Sequence, residues 1–159
     1  VDLNELIDDL GLLTRHKLTN QGIELIRRLD PGRPLVLADA TQLEQAFLNL
    51  TLNAVEAMPA GGKLTVSTGM RRHPRKAGAP THAVIEFKDT GHGMSEEQRS
   101  RMFSSLLSTT KAKGTGLGLA IVAKIVEAHQ GKIEVKTSLG RGTSIALKIP
   151  LSETKAGTK

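Results

Sequence analysis

A chain of 159 residues, 38% hydrophobic and 24% charged, has the length and composition of one globular domain with its own core. With no cysteine it can hold neither a disulfide nor a thiolate metal site, and three Phe without Trp or Tyr leave little to stack on nucleic-acid bases. Much of the net charge of +6 lies in Met70–Lys76 and at the C-terminal end, which reads as solvated loop and tail, and no apolar run approaches the ~18 residues of a membrane span.

Leu3, Leu6, Ile7, Leu10 and Leu13 recur at helical spacing and predict a lead-in helix ending near Gly11 to Thr14. The first residues are no signal peptide. They start without Met and in mid-pattern, as a fragment of a longer protein would. Ile23 to Leu29 reads as a strand and Asp30–Pro34 as a turn. Leu35–Ala38 reads as a short strand, and Asp39 or Thr41 as the cap of a long helix to about Met58. Pro59-Ala60-Gly61-Gly62 stops that helix. Lys63 to Met70 and His82 to Lys88 alternate as strands, with a basic surface loop from Arg71 to Thr81 between them. Ser95 caps a short helix through Gln98 in the capping-box pattern. Phe103 to Gly114 reads as a mobile loop, and Gly116 to His129 as a helix with Ile121, Val122, Ile125 and His129 on one face. Lys132–Thr137 and Thr143–Ile149 form a hairpin, and Ser152 to Lys159 a frayed tail. The expected fold is α/β (α+β), a two-layer sandwich with helices on one face of a mixed sheet.

The long helix carries the most informative pattern. At ~100° per residue, Gln42, Gln45, Asn49, Asn53 and Glu56 fall within an arc of roughly 80°. Leu43, Phe47, Leu50, Ala54 and Met58 fall on the other side and face a core. A polar stripe is also what a solvated surface looks like. Asn is a mediocre helix former, however, and no Lys or Arg occurs from Pro34 to Gly62. A neutral-to-acidic stripe rich in amide oxygens suits a hard cation such as magnesium.

Three further motifs follow. Asp89-Thr90-Gly91-His92-Gly93-Met94 comes directly after a strand, so a carboxylate at the strand end could accept from an exocyclic amine. Its two glycines would let backbone approach a ligand. Lys111-Ala112-Lys113-Gly114-Thr115-Gly116-Leu117-Gly118 opens a helix, with backbone N–H groups and the positive helix end available to an anion. It is not a Rossmann fingerprint, because Leu119 stands where a third glycine is needed, and no Walker-type loop exists in the chain. Gly140-Arg141-Gly142-Thr143-Ser144 reads alone as a hairpin turn.

Taken in order, these residues resemble the ATP-binding catalytic domain of sensor histidine kinases, with the Bergerat-type fold shared with DNA gyrase, a heat-shock chaperone and mismatch-repair proteins. The resemblance runs from about Leu35 to Leu151. It implies ATP and Mg2+ as ligands, with Asn53 on the metal and Asn49 beside the phosphates. It puts Asp89 on the adenine amino group, flanked by Gly91 and Gly93, and Thr143 near the adenine end. It gives Thr110, Lys111, Lys113, Gly114, Gly116, Leu117 and Gly118 to the triphosphate. Asn49 and Lys111 are the implied catalytic residues. In the hydrolytic relatives a glutamate stands at the position matched by Asn49, and an amide cannot serve as that base.

The lid segment Phe103-Ser104-Ser105-Leu106-Leu107-Ser108-Thr109-Thr110-Lys111 lacks the family's Pro and second Phe. None of the five histidines, His16, His73, His82, His92 and His129, precedes Asp or Glu as a phosphoacceptor would. The implied division is a lead-in segment 1–20 continuing from a dimerisation domain upstream, a catalytic domain 21–151 and a disordered tail 152–159. The implied partners are that dimerisation domain and a response regulator, with no nucleic acid and no membrane contact by this segment. The implied location is cytoplasmic, in a full-length protein that can be anchored in the inner membrane. A nucleotide-binding regulatory module and an anti-sigma-type serine/threonine kinase of the same fold remain as alternatives.

Overall fold

The computed structural model describes residues 1–72, 78–97, 99–100 and 115–152, with the backbone alone at 115–118. Helix α1 (Leu3–Asn20) starts at Asp2, whose carboxylate accepts from Asn4 N at 2.9 Å and Glu5 N at 3.4 Å. Leu3, Leu6, Ile7, Leu10, Thr14 and Leu18 form its buried stripe. The helix therefore does not end near Gly11–Thr14 as the leucine spacing suggests. Thr14, not Leu13, continues the stripe, and its hydroxyl donates to Leu10 O at 2.8 Å instead of breaking the helix. Leu12 and Leu13 are both 72% exposed. After α1, the Gln21 side-chain amide donates to Val55 O (2.7 Å) and Met58 O (3.1 Å), fastening the end of α1 to the end of the next helix.

Strand β1 (Ile23–Arg28) leads by way of residues 29–39 to helix α2 (Ala40–Ala57), then to β2 (Gly62–Arg71). β1 and β2 pair in parallel, Ile23 opposite Gly62 through Arg28 opposite Ser67, so α2 is a crossover helix. Leu35–Ala38 is not a strand. It makes two isolated bridges, Asp2 to Leu35 and Val36 to Leu151. Pro34 has no N–H to give, Leu37 faces solvent at 88% exposure, and Asp39 already caps α2, which leaves no room for a ladder.

β3 (His82–Asp89) runs antiparallel to β2. Helix α3 (Thr115–Ala128) then precedes β4 (Lys132–Ser138) and β5 (Gly142–Pro150), an antiparallel pair. β5 also pairs with β3, so among the described residues the sheet order is β1-β2-β3-β5-β4. Between β3 and α3, Glu96 and Glu97 begin a helical turn in which Arg99 N bonds Ser95 O at 2.9 Å.

Helices α1, α2 and α3 cover one sheet face, as the sequence pattern predicts. Leu43, Phe47, Leu50, Ala54 and Met58 of the α2 segment are buried against Leu64, Val66, Ile85 and Leu147 of the sheet. Phe47 and Phe87 pack with ring centroids 5.6 Å apart. Each such side chain contributes about 1.5–3 kcal/mol through burial. α3 adds Leu119, Val122, Ile125 and Val126 to this core. His129, just past α3, bonds Ile125 O through Nδ1 at 2.8 Å and accepts from Asp39 N at 3.1 Å, tying the end of α3 to the start of α2.

A buried polar knot holds α1 onto the sheet. Asn4 Nδ2 donates to Asp30 O, and Thr68 Oγ1 donates to Asn4 Oδ1 while accepting from Asp30 N, each at 2.8 Å. Thr68→Val keeps the shape and strands both Asn4 Oδ1 and the Asp30 N–H. At ~1–3 kcal/mol per buried group left unpaired, the expected loss is about 2–4 kcal/mol in urea unfolding. A loss below about 0.5 kcal/mol would show that water replaces the hydroxyl without cost.

Candidate functional site

Three elements converge at the end of β3. Asp89 is its last residue and is 8% exposed. Oδ1 accepts from Gly91 N at 2.8 Å and from Thr143 N at 3.2 Å. Both bonds fall on Oδ1, which leaves Oδ2 for a ligand. Burial pushes the Asp89 carboxyl up from its ordinary value of 3.8, against the two backbone donors and the nearby His92 charge, which pull it down.

The loop after Asp89 is clamped on both sides. His92 N donates to Ala57 O at 3.1 Å, at the C-terminal end of α2. His92 O accepts from Gly140 N at 2.8 Å, in the β4–β5 turn. A Cβ on Gly91 would overlap Ala57 O, and one on Gly93, where φ is +70°, would overlap Ser138 O. These glycines let backbone approach backbone, which sets the carboxylate between α2 and the hairpin. The His92 side chain is exposed, with Nδ1 2.9 Å from Gly93 O.

Asn49 and Asn53 lie one turn apart on α2, both half-buried. Asn53 Nδ2 is buried without a hydrogen-bond partner among the described residues. Such an orphan is rare. Rotating the amide by 180° exchanges Nδ2 with Oδ1, and the two are assigned from their partners alone. An oxygen in that position is a buried acceptor awaiting a donor or a cation. The donor set fits magnesium, which takes oxygen ligands and keeps several waters. Gly116, Leu117 and Gly118 lie in the first turn of α3, whose leading N–H groups have no partner within the helix. Thr110, Lys111, Lys113 and Gly114 fall outside the described residues, as do the predicted lid and residues 153–159 of the predicted tail, whose first residue, Ser152, is tied down by its N–H to Leu35 O at 2.8 Å.

Two participants escaped the sequence reading. Ala57 supplies a backbone carbonyl, to which a sequence gives no clue. Thr137 Oγ1 stands 2.9 Å from both Met94 N and Thr143 Oγ1, joining the Asp89 loop to β5. The β4–β5 turn was legible only as a turn. A Thr two residues before it, paired in register with Thr143, was the available signal.

The family described as histidine kinase-, DNA gyrase B- and HSP90-like ATPase matches residues 38–153. The chain belongs to this ATPase family. Within it, the chain resembles histidine kinases. Sporulation kinase C of Bacillus subtilis (strain 168) is 36% identical over 151 residues, which are 94% of this chain and 33% of that protein. The chain thus spans about a third of that relative's length. Among solved structures, full-length ShkA in complex with AMPPNP superposes with a TM-score of 0.77 at 29% identity, covering 98% of this chain and 31% of ShkA. Histidine kinase ThkA in complex with the response regulator TrrA superposes at 0.75 and 28% identity, covering 96% of this chain and 41% of that one. The chain is therefore an ATP-binding catalytic domain of the histidine-kinase type. Among the described residues no helix is long and apolar enough to cross a membrane.

Proposed function

We propose that the domain binds Mg-ATP and transfers its γ-phosphoryl group to a histidine on an adjoining dimerisation domain. The observation that carries this reading is the orphaned amide of Asn53 on the helix whose end clamps the Asp89 loop. Magnesium, when bound, would neutralise charge on the β- and γ-phosphates. Asn53 would hold it and Asn49 would lie beside the phosphates. Asp89 Oδ2 would accept from the adenine amine, and the start of α3 would face the phosphates with its N–H groups. Lys111, Lys113 and Thr110 would close the triphosphate site from the preceding segment, with Lys111 offsetting charge that develops on the transferred group.

An amide at position 49 cannot take a proton from water, which favours transfer over hydrolysis. The phosphoacceptor would then lie on another domain, since no histidine of this chain is followed by Asp or Glu. A response regulator, as in the ThkA complex, would receive the phosphoryl group in turn.

The chain, labelled ATP and magnesium are incubated with a separately supplied dimerisation domain. The expected product is phosphohistidine on that domain, labile to acid and stable to base. ATP bound without any transfer would leave the regulatory-module reading in its place. Phosphoserine or phosphothreonine on a supplied protein would replace it with the anti-sigma type of kinase.

A further inference from the structure

We propose that Thr137 is a positioning residue that fixes the direction of the Thr143 hydroxyl and so sets the preference for a 6-amino purine. The proposal rests on the reading that places adenine at Asp89. Thr137 Oγ1 lies 2.9 Å from Met94 N, 3.2 Å from Gly142 O and 2.9 Å from Thr143 Oγ1. A hydroxyl has one hydrogen and two lone pairs. Met94 N can only donate, so it occupies one lone pair. Gly142 O can only accept, so it takes the hydrogen. The remaining lone pair must then accept from Thr143, whose own hydrogen is thereby committed.

What Thr143 has left is lone pairs. It is buried at 9% exposure, and its backbone N–H donates to Asp89 Oδ1 at 3.2 Å. Thr143 Oγ1 and the Asp89 carboxylate thus form two neighbouring acceptors without a free hydrogen between them. A ligand amine brings two hydrogens to such a pair, directly or through a water. A 6-oxo purine brings another acceptor in place of the amine, and its one donor on that edge, the N1–H, can satisfy only one of the two oxygens, the stronger form of discrimination. Without the Thr137 hydroxyl, Thr143 would be free to turn its hydrogen toward the ligand and serve either base.

The test compares ATP with inosine triphosphate, which differs at the 6-position, by calorimetric titration. Thr137→Val is expected to lower the ATP preference about three- to tenfold, the net worth of one neutral hydrogen bond. Affinity for ATP should stay within about twofold, the change coming from tighter binding of inosine triphosphate. Thr137→Ser should restore the preference. Thr143→Val should lose it equally, and the double variant should lose no more than Thr143→Val alone. Equal weakening of both nucleotides by Thr137→Val would mean that the hydroxyl only braces the loop, and would overturn the proposal. Thr143→Val with the wild-type preference intact would overturn it too, even were Thr137→Val unable to fold. A wild type that does not distinguish the two nucleotides removes the adenine reading at Asp89, and this proposal with it. A preference abolished by Asp89→Asn but kept by Thr137→Val removes this proposal alone.

Discussion

Asn53→Ala is expected to abolish magnesium-dependent nucleotide binding in a domain that folds at least as well as the wild type. Two physical terms favour the variant's fold. Alanine is the best helix former, and Asn in a helix interior is worse by about half a kcal/mol. The variant also deletes a buried amide atom that no described group satisfies. Leaving such a group unpaired costs about 1–3 kcal/mol. The side chain thus works against stability in the free protein, as residues kept for a ligand often do. With the nucleotide and metal bound, the balance reverses. Loss of a metal-ligating oxygen is expected to lower ATP affinity in magnesium by more than about a hundredfold, or ~2.7 kcal/mol. Calorimetry with ATP, with and without magnesium, gives the measurement, and a melting curve without ligand gives the control. Unchanged affinity with unchanged magnesium dependence would remove Asn53 from the metal site. A collapsed melting curve would show that the amide is structural after all.

What the sequence made legible was what depends on near neighbours along the chain. The buried and polar faces of α2 follow from spacing within one helix, and Asp39 stands where a cap is expected. The two misreadings also have local causes. Counting Leu13 on the α1 stripe stopped the helix early, because Thr14 was not recognised as a core residue that hides its hydroxyl on Leu10 O. Leu35–Ala38 has strand composition, but pairing is a property of neighbours, and this segment is offered only single bridges.

The site's fine structure was harder to see. Asp89 and Thr143 are 54 positions apart, and their bond runs through a backbone N–H, to which side-chain identity is blind. The glycines of the Asp89 loop could be named but not explained. Their close partners, Ala57 O and Ser138 O, belong to segments far away in sequence. Sequence thus named the candidate ligand groups and missed those that hold them in place.

Asp89→Asn is expected to weaken ATP binding about ten- to a hundredfold while raising the stability of the free domain at neutral pH. The affinity estimate follows from losing a charge-assisted hydrogen bond to the adenine amine, roughly 1.5–3 kcal/mol. The fold should survive, because an asparagine oxygen can still accept from Gly91 N and Thr143 N, the two donors now on Oδ1. The stability change follows from the raised carboxyl pKa. The folded protein holds the Asp89 proton more tightly than the unfolded chain does. The stability this contributes is fully present below the ordinary value of 3.8 and is lost as pH rises through the higher folded value. At neutral pH the buried charge is therefore at its full cost, and the neutral amide escapes it. The melting-temperature gap between variant and wild type should be widest near neutrality and close as the pH approaches 4. ATP affinity of the wild type should fall over the same descent, as the carboxylate becomes an acid with a hydrogen of its own. The amide brings an N–H donor to the place of Oδ2, which opposes the adenine amine and suits the 6-oxo group of GTP. The variant should accordingly shift toward GTP. Equal binding of ATP and GTP by the wild type would show that Asp89 does not read the base. A variant less stable than the wild type at neutral pH would show that its charge is needed by the two backbone donors more than burial opposes it.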